Sequence, residues 1–479
     1  MSDDVARAFD VLVHGGSLVD GSGAPSRRAD VGLRGGRIAA IGELHEHAAT
    51  QRVDARGLTL APGFIDAHAH DDAAAFEADR LWPQLSQGVT TVIVGHCGLS
   101  AAPLVAANAP PPLDLLGSTA FRHARFADYL HALADSRPLL NVAALVGHTT
   151  LRVREVADLT APASAAERRA MAGHVTEALD AGAFGVSTGV YYAPARAADA
   201  DEIVDACAPL VGSGRALSVH LRDEGDAVLE ALNEALGIGE RLGVRTVISH
   251  HKLLGPRNHG RSVQTLARLR AARAHQLVCQ DCYPYAASST VLDAERLAIA
   301  SRVLITHSDA EPAQAGRELS DIARDWGLPL AAAARRLTPA RAVYFAMHEA
   351  DVERILADPE TMIGSDGLPW DPVPHPRLWG SFARVLARSR AGGLPLEAAV
   401  HRMSGLTAAR WGLAGRGLVV LDAAADLVLF DAARIADRAS YAAPTLPAEG
   451  IVAVWVNGAL AWRDGAPTGR LAGEVLRAR

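Results

Sequence analysis

The apolar positions of this chain follow two rhythms. From Asp10 to about Thr59, and again beyond residue 415, short apolar runs alternate with polar residues and stop at glycines, the period-two signature of strands and hairpins. Val11-Leu12-Val13 runs into Gly15-Gly16, and the stretch from Val31 to Gly42 reads as a hairpin folded at Gly35-Gly36. Close to the C-terminus, Asn457-Gly458 separates two apolar runs and predicts a type I′ turn. Between these ends the period lengthens. Strands are predicted at 90–94, 140–146, 185–187, 216–220, 246–250, 278–283 and 361–365, and helical spacing at 165–181, 201–211, 226–242 and 262–274.

Such alternation predicts an α/β fold, and at this length a closed (β/α)8 TIM-like barrel. Residues 288–344 break the rhythm with a helical pattern and few strand signals, which reads as an inserted lid. The expected organisation is a β-sandwich assembled from 1–61 and 415–479, around a barrel at 62–414.

Composition narrows the class. The chain has 479 residues, 49% hydrophobic and 21% charged, ordinary values for a globular enzyme. A formal net charge of −7 gives no attraction for nucleic acid or acidic lipid. The start Met1-Ser2-Asp3-Asp4 lacks a basic and apolar leader, and no apolar run is long enough to span a bilayer. Cys97, Cys207, Cys279 and Cys282 are too few for a disulfide framework, so the expected compartment is the cytoplasm. Lys252 is the only lysine.

The candidate chemistry gathers at strand ends. The run Pro62-Gly63-Phe64-Ile65-Asp66-Ala67-His68-Ala69-His70 ends in His-x-His, and residues two apart on a strand share a face. His68 and His70 can thus aim at one metal ion, or can simply be hydrogen-bonded near a turn. Further strand ends carry Cys97, His148, His220, His250 and Asp366. Strand C-termini line the active-site face of a barrel, and these are metal-ligand types. His96, His251 and His259 read as ordinary buried polar groups. Cys279-Gln280-Asp281-Cys282 has C-x-x-C spacing, but on a strand its sulfurs point to opposite faces and cannot chelate one ion.

The order His-x-His, a further ligand, two single histidines and a late aspartate resembles the amidohydrolase superfamily over nearly the whole chain. Within it the chain is most similar to the D-aminoacylases, the N-acyl-D-amino-acid deacylases. The matching stretches are 62–70, Gly95-His96-Cys97-Gly98, Asp281-Cys282-Tyr283-Pro284-Tyr285 and Gly364-Ser365-Asp366-Gly367-Leu368-Pro369, continuing through Pro374-His375-Pro376-Arg377. Cyclic-amide hydrolases of the superfamily bridge two metals with a modified lysine placed before the single histidines. Lys252 comes after His250, so that bridge is missing and Cys97 takes the position.

The resemblance implies one tight zinc site on Cys97, His220 and His250, with a fourth position open. It implies a weaker second position formed by His68, His70 and Asp366. Asp366 would serve as base and then acid, and Lys252, Tyr283, Arg377 and Ser289 would hold the substrate carboxylate. The implied reaction is zinc-dependent hydrolysis of an N-acyl-D-amino acid to a D-amino acid and a carboxylate. Two rivals remain: another exocyclic amide hydrolase, dipeptidase-like or acting on N-carbamoyl amino acids, and an inactive binding protein on the same fold. The second predicts lost ligands, whereas Cys97, His220, His250 and Asp366 are all present. Arg296 and Arg302 either recognise an acidic side chain or form lid salt bridges. His148 has no assigned role.

Overall fold

The computed structural model describes residues 8–478; the acidic start, 1–4, lies outside the described residues. The fold is α/β. Its centre is a run of parallel strands: β1 Phe64–Asp66, β2 Val89–Val94, β3 Asn141–Ala144 with Val146–Gly147, β4 Gly185–Gly189, β5 Ala216–His220, β6 Arg245–Ile248, β7 Val278–Cys282 and β8 Thr361–Ile363. Each pairs in parallel with the next in this order. The Ala67 amide donates to the Ile363 carbonyl at 3.1 Å, and Ala69 bridges Gly367 in parallel, so β8 returns to the end of β1. These strands are almost wholly buried and read as continuous apolar runs, as parallel strands covered on both faces do.

The intervening helices follow local signals. Ala165–Ala181 starts at Ser164, whose side chain forms a capping box with Glu167, and stops at Gly182 in the left-handed region. The helix expected at 201–211 ends early, at Ala200–Cys207, because Pro209 cannot continue it and a short 3-10 turn follows.

Both chain ends contribute to one seven-stranded sheet, in which Leu429 of strand Leu427–Phe430 faces Leu60 of Thr59–Pro62. A four-stranded sheet from residues 9–54 shares its core through Val13, Leu33, Ile38, Leu427 and Trp455. Asn457 and Gly458 both take positive φ, as the Asn-Gly turn requires. The strand Thr59–Pro62 enters β1 through Gly63, where a Cβ would lie 2.3 Å from the Thr90 side chain.

The segment 288–344 corrects the sequence expectation. Instead of being mainly helical, it carries an antiparallel sheet in which Ala340–Tyr344 lies between Ser288–Val291 and Val303–Ser308, beside helices Leu319–Trp326 and Leu330–Leu337. The Ala/Arg-rich central strand has helical composition, and non-local pairing on both its edges overrides that propensity. Among the described residues no helix is long and apolar enough to cross a membrane.

Candidate active site

The C-terminal ends of the parallel strands converge on one buried cluster. His68 and His70 follow directly after β1, and their ring centroids are 5.3 Å apart. Cys97 sits in the turn after β2, and its Sγ lies 3.3 Å from His68 Nε2, 3.4 Å from His220 Nδ1 and 3.2 Å from His250 Nε2. His220 Nδ1 and His250 Nε2 are 3.0 Å apart. Two candidate metal-binding groups result, Cys97–His220–His250 and His68–His70–Cys97, and the thiol belongs to both. Asp366, after β8, places Oδ1 3.2 Å from His70 Nε2 and 3.7 Å from His68 Nε2.

The backbone is bent to make this possible. Cys97, His250 and Asp366 have φ of 57°, 33° and 49°, in the left-handed region that non-glycine residues rarely enter. Such strain persists only where the surroundings fix it, and here it turns three functional groups inward. Gly95 and Gly98 flank the Cys97 turn. A Cβ on the first would meet the Leu145 carbonyl oxygen at 2.2 Å, and on the second the Thr149 hydroxyl at 2.4 Å.

The donor chemistry fits a metal ion. Burial holds His68, His220 and His250 well below the usual imidazole range, so they are neutral and can ligate. Burial pushes the Cys97 thiol well up, and a cation at the sulfur would offset that. Around Asp366 burial opposes ionisation. The Arg377 guanidinium and the hydrogen bond with His70 outweigh it and hold the carboxyl well below its usual range. Arg377 Nη1 is 2.8 Å from Asp366 Oδ2. Arg377 also packs over the Tyr283 ring, 4.6 Å from its centroid, and donates to the Ser289 carbonyl at 3.2 Å. The cavity at the cluster is lined by His70, His250, Lys252, Ser289, Arg296 and Asp366. The Ser289 hydroxyl there has no partner among the described residues.

The strand β6 ends at Ile248, so strand alternation does not carry Lys252 to the face of His250. The left-handed turn at His250 does, leaving Lys252 Nζ 2.6 Å from both His250 Nδ1 and Glu224 Oε1. His148 points away from the cluster, to Glu202 and Thr188. His96 bonds Ser218, His251 bonds Gln280 and Thr265, and the His259 ring packs tilted against His348. Cys279 and Cys282 fall in separate core clusters and are free.

Sequence reasoning gave no role to two buried carboxylates. Asp281 Oδ1 accepts from the His250 amide at 2.8 Å and lies 3.2 Å from His68 Nδ1, so it orients two of the candidate ligand residues. Its position within a family-like stretch was the one signal for it. Glu224, four residues past His220, had none beyond that spacing.

Comparison with known proteins follows the same lines. The model of the Amidohydrolase family matches residues 51–461. An N-acyl-D-aspartate deacylase from Alcaligenes xylosoxydans xylosoxydans is 50% identical, covering 99% of this chain and 96% of its own. A D-aminoacylase from the same organism is also 50% identical, covering 99% of each. The crystal structure of an N-acyl-D-glutamate deacylase from Bordetella bronchiseptica, complexed with zinc and a phosphonate mimic of the tetrahedral intermediate, superposes with a TM-score of 0.96. It is 47% identical and covers 98% of this chain and 100% of its own.

Proposed function

This chain belongs to the amidohydrolase family, and from that premise we propose that it is a zinc-dependent deacylase hydrolysing N-acyl-D-amino acids to a D-amino acid and a carboxylate. The observation that carries the reading is the approach of Cys97 Sγ, His220 Nδ1 and His250 Nε2 to within 3.4 Å of one another beside the ionised Asp366. The ring of parallel strands is read as a (β/α)8 barrel spanning 62–414. The sheets from 1–61 and 415–479 form a small β domain, and 288–344 a lid. The free cysteines agree with a cytoplasmic setting.

Cys97, His220 and His250 would hold the tight zinc, and His68, His70 and Asp366, sharing Cys97, a weaker second ion. Bound zinc would supply a Lewis acid for the amide carbonyl and acidify water. Asp366 takes the proton from the attacking water and passes it to the leaving amine, serving as base and then acid. The α-carboxylate is assigned to Arg377, Tyr283 and Lys252, with Ser289 offering a hydroxyl.

The side chain of the substrate is assigned to Arg296. Its guanidinium lies 4.0 Å over the Tyr191 ring and lines the cavity, and among the described residues no carboxylate pairs with it. Arg302, the other candidate, is paired with Glu318 and stacks on Phe345. An unpaired, half-buried guanidinium facing the cavity favours an acidic D-amino acid.

A panel of N-acetyl-D- and N-acetyl-L-amino acids, assayed with metal analysis, tests the reading. The expected result is turnover of D substrates, acidic ones foremost, by a zinc-containing protein; preference for L substrates overturns it. Arg296→Met should lower kcat/KM for N-acetyl-D-aspartate or N-acetyl-D-glutamate by about 10- to 100-fold. Little change is expected for N-acetyl-D-leucine.

A further inference from the structure

The rear of the metal cluster contains a carboxylate that the reaction itself does not use. With Nδ1 of His220 and Nε2 of His250 turned toward Cys97, the opposite nitrogens are His220 Nε2 and His250 Nδ1. Both face Glu224, with His250 Nδ1 3.1 Å from Oε1 and His220 Nε2 3.8 Å from Oε2. His220 Nε2 is buried and has no hydrogen-bond partner among the described residues. Glu224 is itself 4% exposed and takes the charge of Lys252 at 2.6 Å.

We propose that Glu224 is a positioning residue serving both single histidines of the metal centre, one carboxylate oxygen for each ring, while fixing Lys252 beside the substrate. The inference rests on the metal assignment above. A ligand nitrogen must offer its lone pair, so a ligating His220 carries its hydrogen on Nε2 and a ligating His250 on Nδ1. Those hydrogens require acceptors, and the Glu224 carboxylate is the acceptor group that both nitrogens face. Holding the hydrogens there fixes tautomer and ring orientation and raises the basicity of the ligands.

Lys252 follows from the same arrangement. Its ammonium can only donate, and it lies 2.6 Å from His250 Nδ1. A hydrogen on Nδ1 excludes that bond, so metal loading turns the Lys252 donor away from His250 and toward the cavity that it lines. Glu224 keeps Lys252 in place throughout. Metal binding and the readiness of the substrate-binding lysine are thereby coupled through one carboxylate.

The test is zinc affinity by chelator competition, with KM measured alongside, for wild type, Glu224→Gln, Lys252→Met and the double variant. Gln keeps the shape but can accept for one ring only. Glu224→Gln should weaken zinc binding by about 10- to 100-fold. Lys252→Met should hold zinc within about twofold of wild type and mainly raise KM. The double variant removes the buried charge pair together, so it folds even if Glu224→Gln alone does not. It should still bind zinc weakly. Wild-type zinc affinity in the double variant would mean that Glu224 only neutralises Lys252, and would overturn the inference, as would unchanged affinity in folded Glu224→Gln. Absence of zinc binding in wild type would instead overturn the metal assignment itself.

Discussion

Two buried clusters in this molecule have nearly the same composition and opposite character. In one, His148 Nε2 meets Glu202 at 3.2 Å, and Arg152 pairs with the same carboxylate. In the other, His250 Nδ1 meets Glu224 at 3.1 Å, and Lys252 pairs with it at 2.6 Å. Each histidine is at most 2% exposed and follows an apolar parallel strand. The difference lies at the second ring nitrogen. His148 Nδ1 meets the Thr188 hydroxyl at 3.4 Å, and the other Glu202 oxygen accepts from the Ala163 amide at 2.7 Å, so the first cluster is closed. His250 Nε2 instead faces Cys97 and His220, two more groups of metal-ligand type. A histidine–carboxylate–cation trio is structural when every donor has an acceptor, and functional when one nitrogen is left facing other ligands.

The comparison is broken most severely at Cys97. Cys97→Ala removes the atom shared by both candidate metal groups. Bound zinc should fall to a small fraction of one ion per chain, and kcat/KM by at least about a thousandfold. The fold should survive, which circular dichroism and elemental analysis of one preparation would check. A variant that keeps its zinc would show that the sulfur is not a ligand.

Glu202→Gln strikes the closed cluster instead. Breaking a buried ion pair leaves Arg152 without its charge partner, and the expected loss of stability is about 3 kcal/mol by urea denaturation. Zinc content and kcat/KM of the folded fraction should match wild type. Loss of zinc with unchanged stability would reverse the roles given to the two clusters.

How far these roles were legible in the sequence depends on how local the signal was. The helix at 165–181 and the Asn457-Gly458 turn rest on signals within a few residues, and both elements form where expected. His68, His70, Cys97, His220, His250 and Asp366 could be singled out as candidates because strand ends are readable and their residue types are chemically distinctive, and the structure brings them together. The lid sheet was missed because Ala340–Tyr344 owes its conformation to two partners distant in sequence. The closed state of His148 and the open state of His250 were equally hidden. Both follow strands, and only the packing of Glu202 from one helix and of Glu224 from a loop separates them. Arg296 and Arg302 looked alike for the same reason, until Glu318 was found against one of them.

A smaller effect sharpens the distinction further. Burial works against ionisation of Glu202, but the hydrogen bonds from His148 and Arg152 prevail and lower its pKa from 4.5 to about 2. A folded-state pKa below the unfolded value stabilises the fold above the unfolded pKa, and that contribution fades as pH falls toward the folded one. The stability gap between wild type and Glu202→Gln should therefore be constant from about pH 7 to about pH 5 and shrink below that. Denaturation curves taken at each pH would read it, and a gap that widened on acidification would contradict the account.

The central claim is that the histidines and the one cysteine at the strand ends form a catalytic zinc centre with a sulfur ligand. X-ray absorption at the zinc edge of the purified protein tests it most directly. The account predicts one sulfur at about 2.3 Å together with nitrogen or oxygen ligands at about 2.0–2.1 Å, and loss of the sulfur shell in any zinc restored to Cys97→Ala. A first shell of nitrogen and oxygen alone in the wild-type protein would contradict it.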